Sequence, residues 1–200
     1  SMHISEGVLS PPVLAAGWAL TAGALAVGLK KTPVEKLPET ALVSAVLFLA
    51  SLVHVPLGPS SIHLTLLGLA GIMLGWSAVP ALFIALFLQG LLFQFGGLLS
   101  LGVNTVAMGS AALAGCFVFR VIPEKLKLLG SFAGGFTAVI VGTIIVVASL
   151  ALSHSDLRTT AALLFAANLP LAAVEGLMSL FIVAFLSKML PGYVSRPARI

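Results

Sequence analysis

Charged side chains are scarce in this sequence, and their scarcity excludes an ordinary soluble fold. Only 8% of the 200 residues are charged, whereas soluble domains carry about 25%. The single cysteine, Cys116, excludes an internal disulfide. Neither a Walker-type phosphate loop nor a His-Glu-x-x-His motif occurs. The sequence offers no nucleotide site and no catalytic site, so we predict neither an enzyme nor a bound cofactor.

Long apolar runs take the place of charge. Hydrophobic residues make up 60% of the chain, and the mean hydropathy is +1.19. A bilayer core about 30 Å thick needs roughly 20 apolar helical residues. We therefore predict an all-α, polytopic membrane helix bundle of about seven transmembrane helices, forming one transmembrane domain over residues 1–200. The predicted spans lie near residues 12–29, 39–55, 62–76, 78–96, 102–121, 130–153 and 160–189.

Two of these runs depart from a simple span. The third is short, which suits a re-entrant or tilted segment as well as a full crossing. The seventh contains Pro170, where we expect a kink. Ser1, which precedes Met2, is interpreted as a remnant of tag removal.

The basic residues indicate how the chain is oriented. They give a net charge of +4 and sit in short clusters between the apolar runs. This is the pattern of topology determinants, so we predict no nucleic-acid partner. With an odd number of spans, nine of the ten basic residues fall on one side, and only Arg158 falls on the other. The positive-inside rule makes that side the cytoplasm, with the N-terminus outside and the C-terminus inside.

The histidines gather on the opposite side in this topology. Imidazole is the commonest transition-metal ligand, although each histidine alone is as well explained as an ordinary interfacial residue. Their shared side is what makes them candidates for metal binding. The residues that map to or near the outer side are His3, His54, His63 and His154, together with Glu6 and Asp156.

The start of the chain has the form of a chelator. If Met2 is the first residue, its α-amine and the backbone and imidazole nitrogens of His3 can close two fused rings on one metal. Four nitrogens in a plane suit Ni(II) or Cu(II), and His63 is on the correct side to supply the fourth. With Ser1 present, a second amide nitrogen can fill that place instead. The alternative is that Met-His is only a start codon followed by an unremarkable residue.

Four segments carry a resemblance to a known family. They are MHISEGVLSP at 2–11, VPLGPSSIHLTLLG at 55–68, LLFQFGGLLSLGVNTVAMG at 91–109 and VEGLMSLFIVAFL at 174–186. In this order and spacing they resemble the CbiM/NikM family, the substrate-specific membrane subunits of energy-coupling-factor transporters for cobalt and nickel. The resemblance therefore implies a multi-pass protein of the prokaryotic plasma (inner) membrane.

The resemblance implies a substrate, a site and partners. Met2, His3 and His63 would hold the transported Co²⁺ or Ni²⁺. The partners would be a transmembrane coupling subunit, two cytoplasmic ATPase subunits and a small accessory membrane subunit, all within membrane lipid. Gln94 stands where relatives often carry a histidine or an acidic residue, so the resemblance assigns it no role.

Several polar residues within apolar runs need partners, because an unsatisfied amide in hydrocarbon costs several kcal/mol. Asn104 and Thr105, with Glu6, are candidates to support the metal ligands from behind, either by bracing the N-terminal loop or by holding the tautomer of His63. For Asn104 and Thr105, hydrogen bonding between helices is an equal alternative. Glu175 is the only acid deep in an apolar run, and a functional and a packing role both remain open.

Three functions are compatible with these observations. The first is metal capture at the outer face for an ATP-driven importer. The second is an autonomous channel or secondary transporter, which usually has more ionisable groups through the midplane than Glu175 alone. The third is a membrane scaffold, which would not need a free N-terminal amine.

Overall fold

The computed structural model describes the backbone over residues 4–52, 54–57, 60–94, 96–153 and 158–194, and side chains over 4–52, 63–94, 96–153 and 162–194. Within these ranges the chain forms seven α-helices and one short antiparallel hairpin. The elements are α1 (Pro11–Lys30), α2 (Leu37–Leu52), β1 (His54–Leu57), β2 (Ser60–His63), α3 (Leu67–Leu74), α4 (Ala78–Phe93), α5 (Leu101–Val121), α6 (Lys127–Ala151) and α7 (Arg158–Met189).

The predicted all-α membrane bundle is confirmed. In the described part of the chain, five helical stretches are long and apolar enough to cross a membrane. The α2 helix has 16 residues, short of the roughly 20 that a straight crossing needs. The count of seven spans and the orientation of the termini stay predictions. The five stretches are Pro11–Lys30, Leu67–Phe93, Leu101–Val121, Glu124–Ala151 and Ala162–Met189.

The third predicted span differs most from the structure. Residues 62 and 63 end the hairpin, in which His54 pairs with His63, and the helix begins only at Leu67. At 1.5 Å per residue, its eight residues reach about 12 Å, less than half of the bilayer core. Pro56 lacks the N–H that would let α2 continue into this segment. The chain therefore enters α3 from a hairpin, as a re-entrant segment would. Elsewhere the helices follow the predicted runs, and Pro170 lies inside α7 without ending it.

Small residues allow the central helices to touch through their backbones. A Cβ added at Gly71 would lie 1.8 Å from the carbonyl oxygen of Ala112, and one at Gly68 would lie 2.4 Å from Cα of Gly135. Such closeness lets α3 pack directly on α5 and α6. The core is built around these contacts, and van der Waals packing of this kind is what holds helices together in lipid.

Hydrogen bonds among loops and helix ends show which segments lie together at each end of the bundle. At one end, the Ser10 N–H donates to Oγ of Ser153 over 3.1 Å. At the other end, the Thr32 hydroxyl donates to Ser77 over 2.9 Å, and the Tyr193 hydroxyl donates to Glu39. Ser10 and the start of α1 therefore lie at the end opposite the lysines that follow α1.

Candidate metal centre

The predicted ligands are only partly visible. Met2 and His3 lie outside the described residues, as does His154, and the side chain of His54 is likewise outside them. His63 is described: it ends β2, is 5% exposed, and its Nδ1 lies 3.4 Å from the carbonyl oxygen of Leu64. Among the described residues, no three His, Cys, Asp or Glu side chains form a metal-binding group. This finding does not bear on a site built from an N-terminal amine, a backbone amide and histidines.

Asn104, in the first turn of α5, holds the segment next to His3. Its Oδ1 accepts a hydrogen bond from the Ile4 N–H over 2.9 Å, and its Nδ2 donates to the Ile4 carbonyl over 3.1 Å. Asn104 and Ile4 are 2% and 4% exposed. One side-chain amide thus satisfies both backbone groups of Ile4, as a neighbouring strand would. The sequence left several roles open for Asn104. These two hydrogen bonds match the role of bracing the N-terminal segment.

The rest of the N-terminal segment is also tied to the bundle. Ile4 and Leu9 are buried in a cluster with Val103. The Leu99 N–H donates to Oε1 of Glu6 over 2.8 Å, so Glu6 ties the N-terminal segment to the loop before α5. Residues 4–10 therefore fold against the bundle instead of extending from it.

Gly97 makes that loop possible. Its φ is +85°, and an added Cβ would lie 2.0 Å from Cγ of Glu6. Only glycine has both the conformational freedom and the space for this position. The loop of residues 96–100 can then lie directly against the N-terminal segment.

Thr105 and Gln89 are buried polar residues with unused groups. Oγ1 of Thr105, which is 1% exposed, and Oε1 of Gln89, which is 3% exposed, have no hydrogen-bond partner among the described residues. For Thr105 the predicted supporting role therefore has no visible contact behind it. Gln89 faces a small cavity that also touches His63.

This cavity lies between α2, α4, α5 and the residues that follow β2. Its volume is about 10 Å³, close to the least space that holds one water molecule. Four of its nine lining residues are polar, and a buried water needs about two to four polar partners. The lining residues are Leu47, Ser51, His63, Thr65, Leu82, Ala85, Leu86, Gln89 and Met108.

The α5 helix is shared by the surroundings of Ile4 and of His63. Met108 lines the cavity beside His63, and Asn104 binds Ile4. Residues four apart lie on one face of a helix, about one turn and about 6 Å from each other along the axis. Ile4 and the cavity beside His63 therefore lie against the same face of α5, at adjacent turns.

Glu175 is the residue whose contacts the sequence did not predict. It is completely buried in α7. Its carboxylate accepts hydrogen bonds from the Thr65 N–H, from the Thr65 hydroxyl over 3.0 Å and from the Leu66 N–H over 2.8 Å. The only signal in the sequence was its position as a lone acid in an apolar run. The structure shows that it binds the backbone just after His63.

Known proteins resemble this chain in sequence and in fold. CbiM, the cobalt uptake substrate-specific transmembrane region, matches residues 3–192. A Haemophilus influenzae protein described as a candidate metal transport protein is 38% identical over 203 aligned residues, covering 98% of each chain. The fused nickel transport protein NikMN of Rhodobacter capsulatus is 35% identical over 113 residues, or 54% of this chain and 33% of the relative. The crystal structure of a truncated transition metal transporter is similar with a TM-score of 0.78 and 27% identity, covering 94% of this chain and 99% of that one.

These matches agree with the geometry. The family match includes the N-terminal segment, the hairpin, α5 and α7, the elements that carry Ile4, His63, Asn104 and Glu175. The apolar helices place the chain in a membrane as a multi-pass protein. The chain therefore belongs to the CbiM family, a family of membrane metal transport proteins rather than enzymes.

Proposed function

We propose that this protein captures Co²⁺ or Ni²⁺ at the outer face of the membrane, as the substrate-specific subunit of an ATP-driven importer of the energy-coupling-factor type. The observation that carries the proposal is the shared face of α5, where the residue after His3 and the cavity beside His63 occupy adjacent turns. The cobalt and nickel transport named for the family and the NikMN relative supports these two metals as the substrate.

The proposed coordination uses nitrogen only. In a chain that starts at Met2, the ligands are the Met2 amine, the amide and imidazole nitrogens of His3, and the imidazole of His63. The two hydrogen bonds between Asn104 and Ile4 fix the backbone next to His3, which reduces the ordering needed when the metal binds. Because the His3 amide must lose its proton, metal binding releases protons and weakens at low pH.

Energy would come from other chains, since this sequence has no nucleotide motif. The proposed partners are the coupling subunit, two ATPase subunits and a small accessory membrane subunit. The α1 helix supports such an assembly, because Ala15, Ala19 and Gly23 at four-residue spacing are exposed on its surface. Small residues at this spacing let another helix approach closely.

Metal titration of single variants tests the coordination. With Met2 as the first residue, His63→Ala should weaken nickel binding about 10-fold or more, as the loss of groups at metal sites often does. His3→Ala should weaken it further, because it removes an imidazole and breaks a chelate ring. Retaining Ser1 should reduce the penalty at His63, since a second amide nitrogen can replace it.

The matched controls are His54→Ala and His154→Ala. They remove imidazoles that the predicted topology also places at or near the outer side, and they should change the metal affinity little. Isothermal titration with nickel and with cobalt measures all four variants. Wild-type affinity in His63→Ala, with Met2 first, would contradict the proposed site.

Capture at the outer face depends on the predicted orientation. In a background where Cys116 is replaced by serine, a cysteine at position 36 should react with a membrane-impermeant maleimide only after the cells are opened. A cysteine at position 5 should react in intact cells, because Ser5 is exposed at the opposite end. The reverse labelling pattern would overturn capture from outside.

A further inference from the structure

Glu175 has an unusual position for an acid. It is the only one of the six acidic residues within an apolar run, and its side chain is 0% exposed. A buried carboxylate is costly unless hydrogen bonds compensate for its lost hydration. In this chain the compensation comes from two consecutive residues, Thr65 and Leu66.

These two residues connect His63 to α3. Leu66 precedes α3 in the left-handed conformation, with φ 51° and ψ 27°, which a branched residue rarely adopts. Its N–H lies 3.0 Å and 2.8 Å from the two carboxylate oxygens of Glu175. The carboxylate therefore stabilises a backbone turn that would otherwise be unfavourable, and that turn lies three residues from His63.

The carboxylate is itself held on a rigid support. A Cβ at Gly135 of α6 would lie 2.7 Å from the carbonyl oxygen of Glu175, and a Cβ at Gly176 would lie 2.9 Å from the ring of Phe132. The backbones of α6 and α7 are thus in direct contact around Glu175. A hydrogen bond from this point locates the receiving segment with little freedom.

We propose that Glu175 is a positioning residue for the metal site: it holds the backbone at Thr65 and Leu66 so that the His63 imidazole reaches the fourth position around the metal. This role rests on the proposed function. Glu175 is not itself a ligand, because all of its described hydrogen bonds go to residues 65 and 66. It acts through His63.

The double-mutant comparison of Glu175→Gln with His63→Ala tests this role. Glutamine keeps one acceptor oxygen but directs an amide N–H₂ at the donors of residues 65 and 66. In the full-length protein with Met2 first, titrated with nickel alone, Glu175→Gln should weaken binding about 10-fold. In the His63→Ala background it should change the affinity less than 2-fold, because His63 no longer contributes. The visible Ni(II) absorption band should shift in the same direction in Glu175→Gln and in His63→Ala, since water replaces a nitrogen ligand in both.

Two further variants separate positioning from general damage. Thr65→Val removes only the hydroxyl contact and should weaken nickel binding by a smaller factor in the same direction, which keeps the test available if Glu175→Gln fails to fold. Ser179→Ala is the matched control, because Ser179 is completely buried one turn along α7 but has no described hydrogen bond. It should bind nickel like the wild type.

Equal weakening by Glu175→Gln in the wild-type and His63→Ala backgrounds would overturn the positioning role while leaving the metal site standing. Unchanged nickel binding in both Glu175→Gln and Thr65→Val would overturn it as well. Failure of the proposed function gives a different result, because the wild type would then bind neither metal, or His63→Ala would bind as the wild type does.

Discussion

Two ridges of small residues have the same spacing in the sequence and opposite surroundings in the structure. Gly130, Gly134, Ala138 and Gly142 of α6 are all buried. Ala15, Ala19 and Gly23 of α1 are exposed. Four-residue spacing of small residues predicts that a helix can be approached closely. It does not determine whether the approaching helix belongs to the same chain.

The contacts explain the difference. A Cβ at Gly134 would lie 2.8 Å from the carbonyl oxygen of Gly115, whereas a Cβ at Gly23 would have nothing within 4 Å. The α6 ridge is used within the bundle, against α5. The α1 helix instead packs inward through a separate face that contains Gly17, Thr21 and Gly28. Its ridge of small residues is left available on the outside.

The largest expected effect is on stability, and a matched pair of substitutions reveals it. Gly134→Leu should destabilise the protein by about 3 kcal/mol or prevent folding, because the side chain has no space between α5 and α6. Gly23→Leu should leave stability unchanged or raise it by up to about 1 kcal/mol, because its side chain enters open space and leucine favours the helix more than glycine does. Thermal unfolding in detergent measures both. Similar losses in the two variants would remove the distinction between the ridges.

The next effect concerns assembly. In Ala19→Leu/Gly23→Leu, bulky side chains replace the exposed ridge, so co-purification with the coupling subunit should fall about 10-fold or more, while nickel affinity stays at the wild-type value. The comparable surface change Leu20→Ala, at a side chain that is 61% exposed, serves as the control and should leave assembly intact.

A transport assay with the purified protein alone separates metal capture from autonomous transport. The wild-type chain alone in liposomes should not accumulate nickel against a gradient, because it lacks a nucleotide site. Uphill uptake without the ATPase subunits would favour a secondary transporter and would remove the reason to regard the α1 ridge as a docking surface.

The smallest effect is expected at the basic end of the bundle. Tyr193 donates a hydrogen bond to Glu39, and partial burial, together with this carboxylate, raises the pKa of Tyr193. A raised pKa favours the protonated phenol, so the contribution to stability is complete below about pH 10 and is lost as the pH rises through the folded value. Tyr193→Phe should cost at most about 1 kcal/mol at neutral pH, since the pair is partly exposed. Thermal unfolding at pH 7 measures it, and a loss of several kcal/mol would show that the C-terminal turn is central to the fold.

The helices could largely be predicted from the sequence, because each apolar run must bury its backbone polar groups within itself in lipid. The hairpin formed by β1 and β2 could not. The backbone groups of the two strands pair with each other, and the apolar residues from Ile62 onward resemble the beginning of a span. The helix α3 is too short to be recognised by length, and its place in the bundle depends on close contacts of Gly68 and Gly71 with other helices.

The candidate site divides in the same way. His63 was predicted from residue type and the resemblance, while Met2 and His3 stay predictions outside the described residues. The sequence left several roles open for Asn104. Only its two hydrogen bonds with Ile4, which lies 100 positions away in the sequence, favour bracing of the N-terminal segment. The contacts of Glu175 with Thr65 and Leu66 span about the same distance along the chain.

By itself, the sequence determined that this protein is a membrane helix bundle with its basic residues at the ends of apolar runs, because hydropathy and charge act locally along the chain. Its N-terminal motif also carried enough chemistry to suggest metal binding. The tertiary structure alone decided which polar groups meet in the interior and which of two similar ridges is covered. Both depend on helices packed from distant parts of the chain, and spacing within a single helix contains no information about its neighbour.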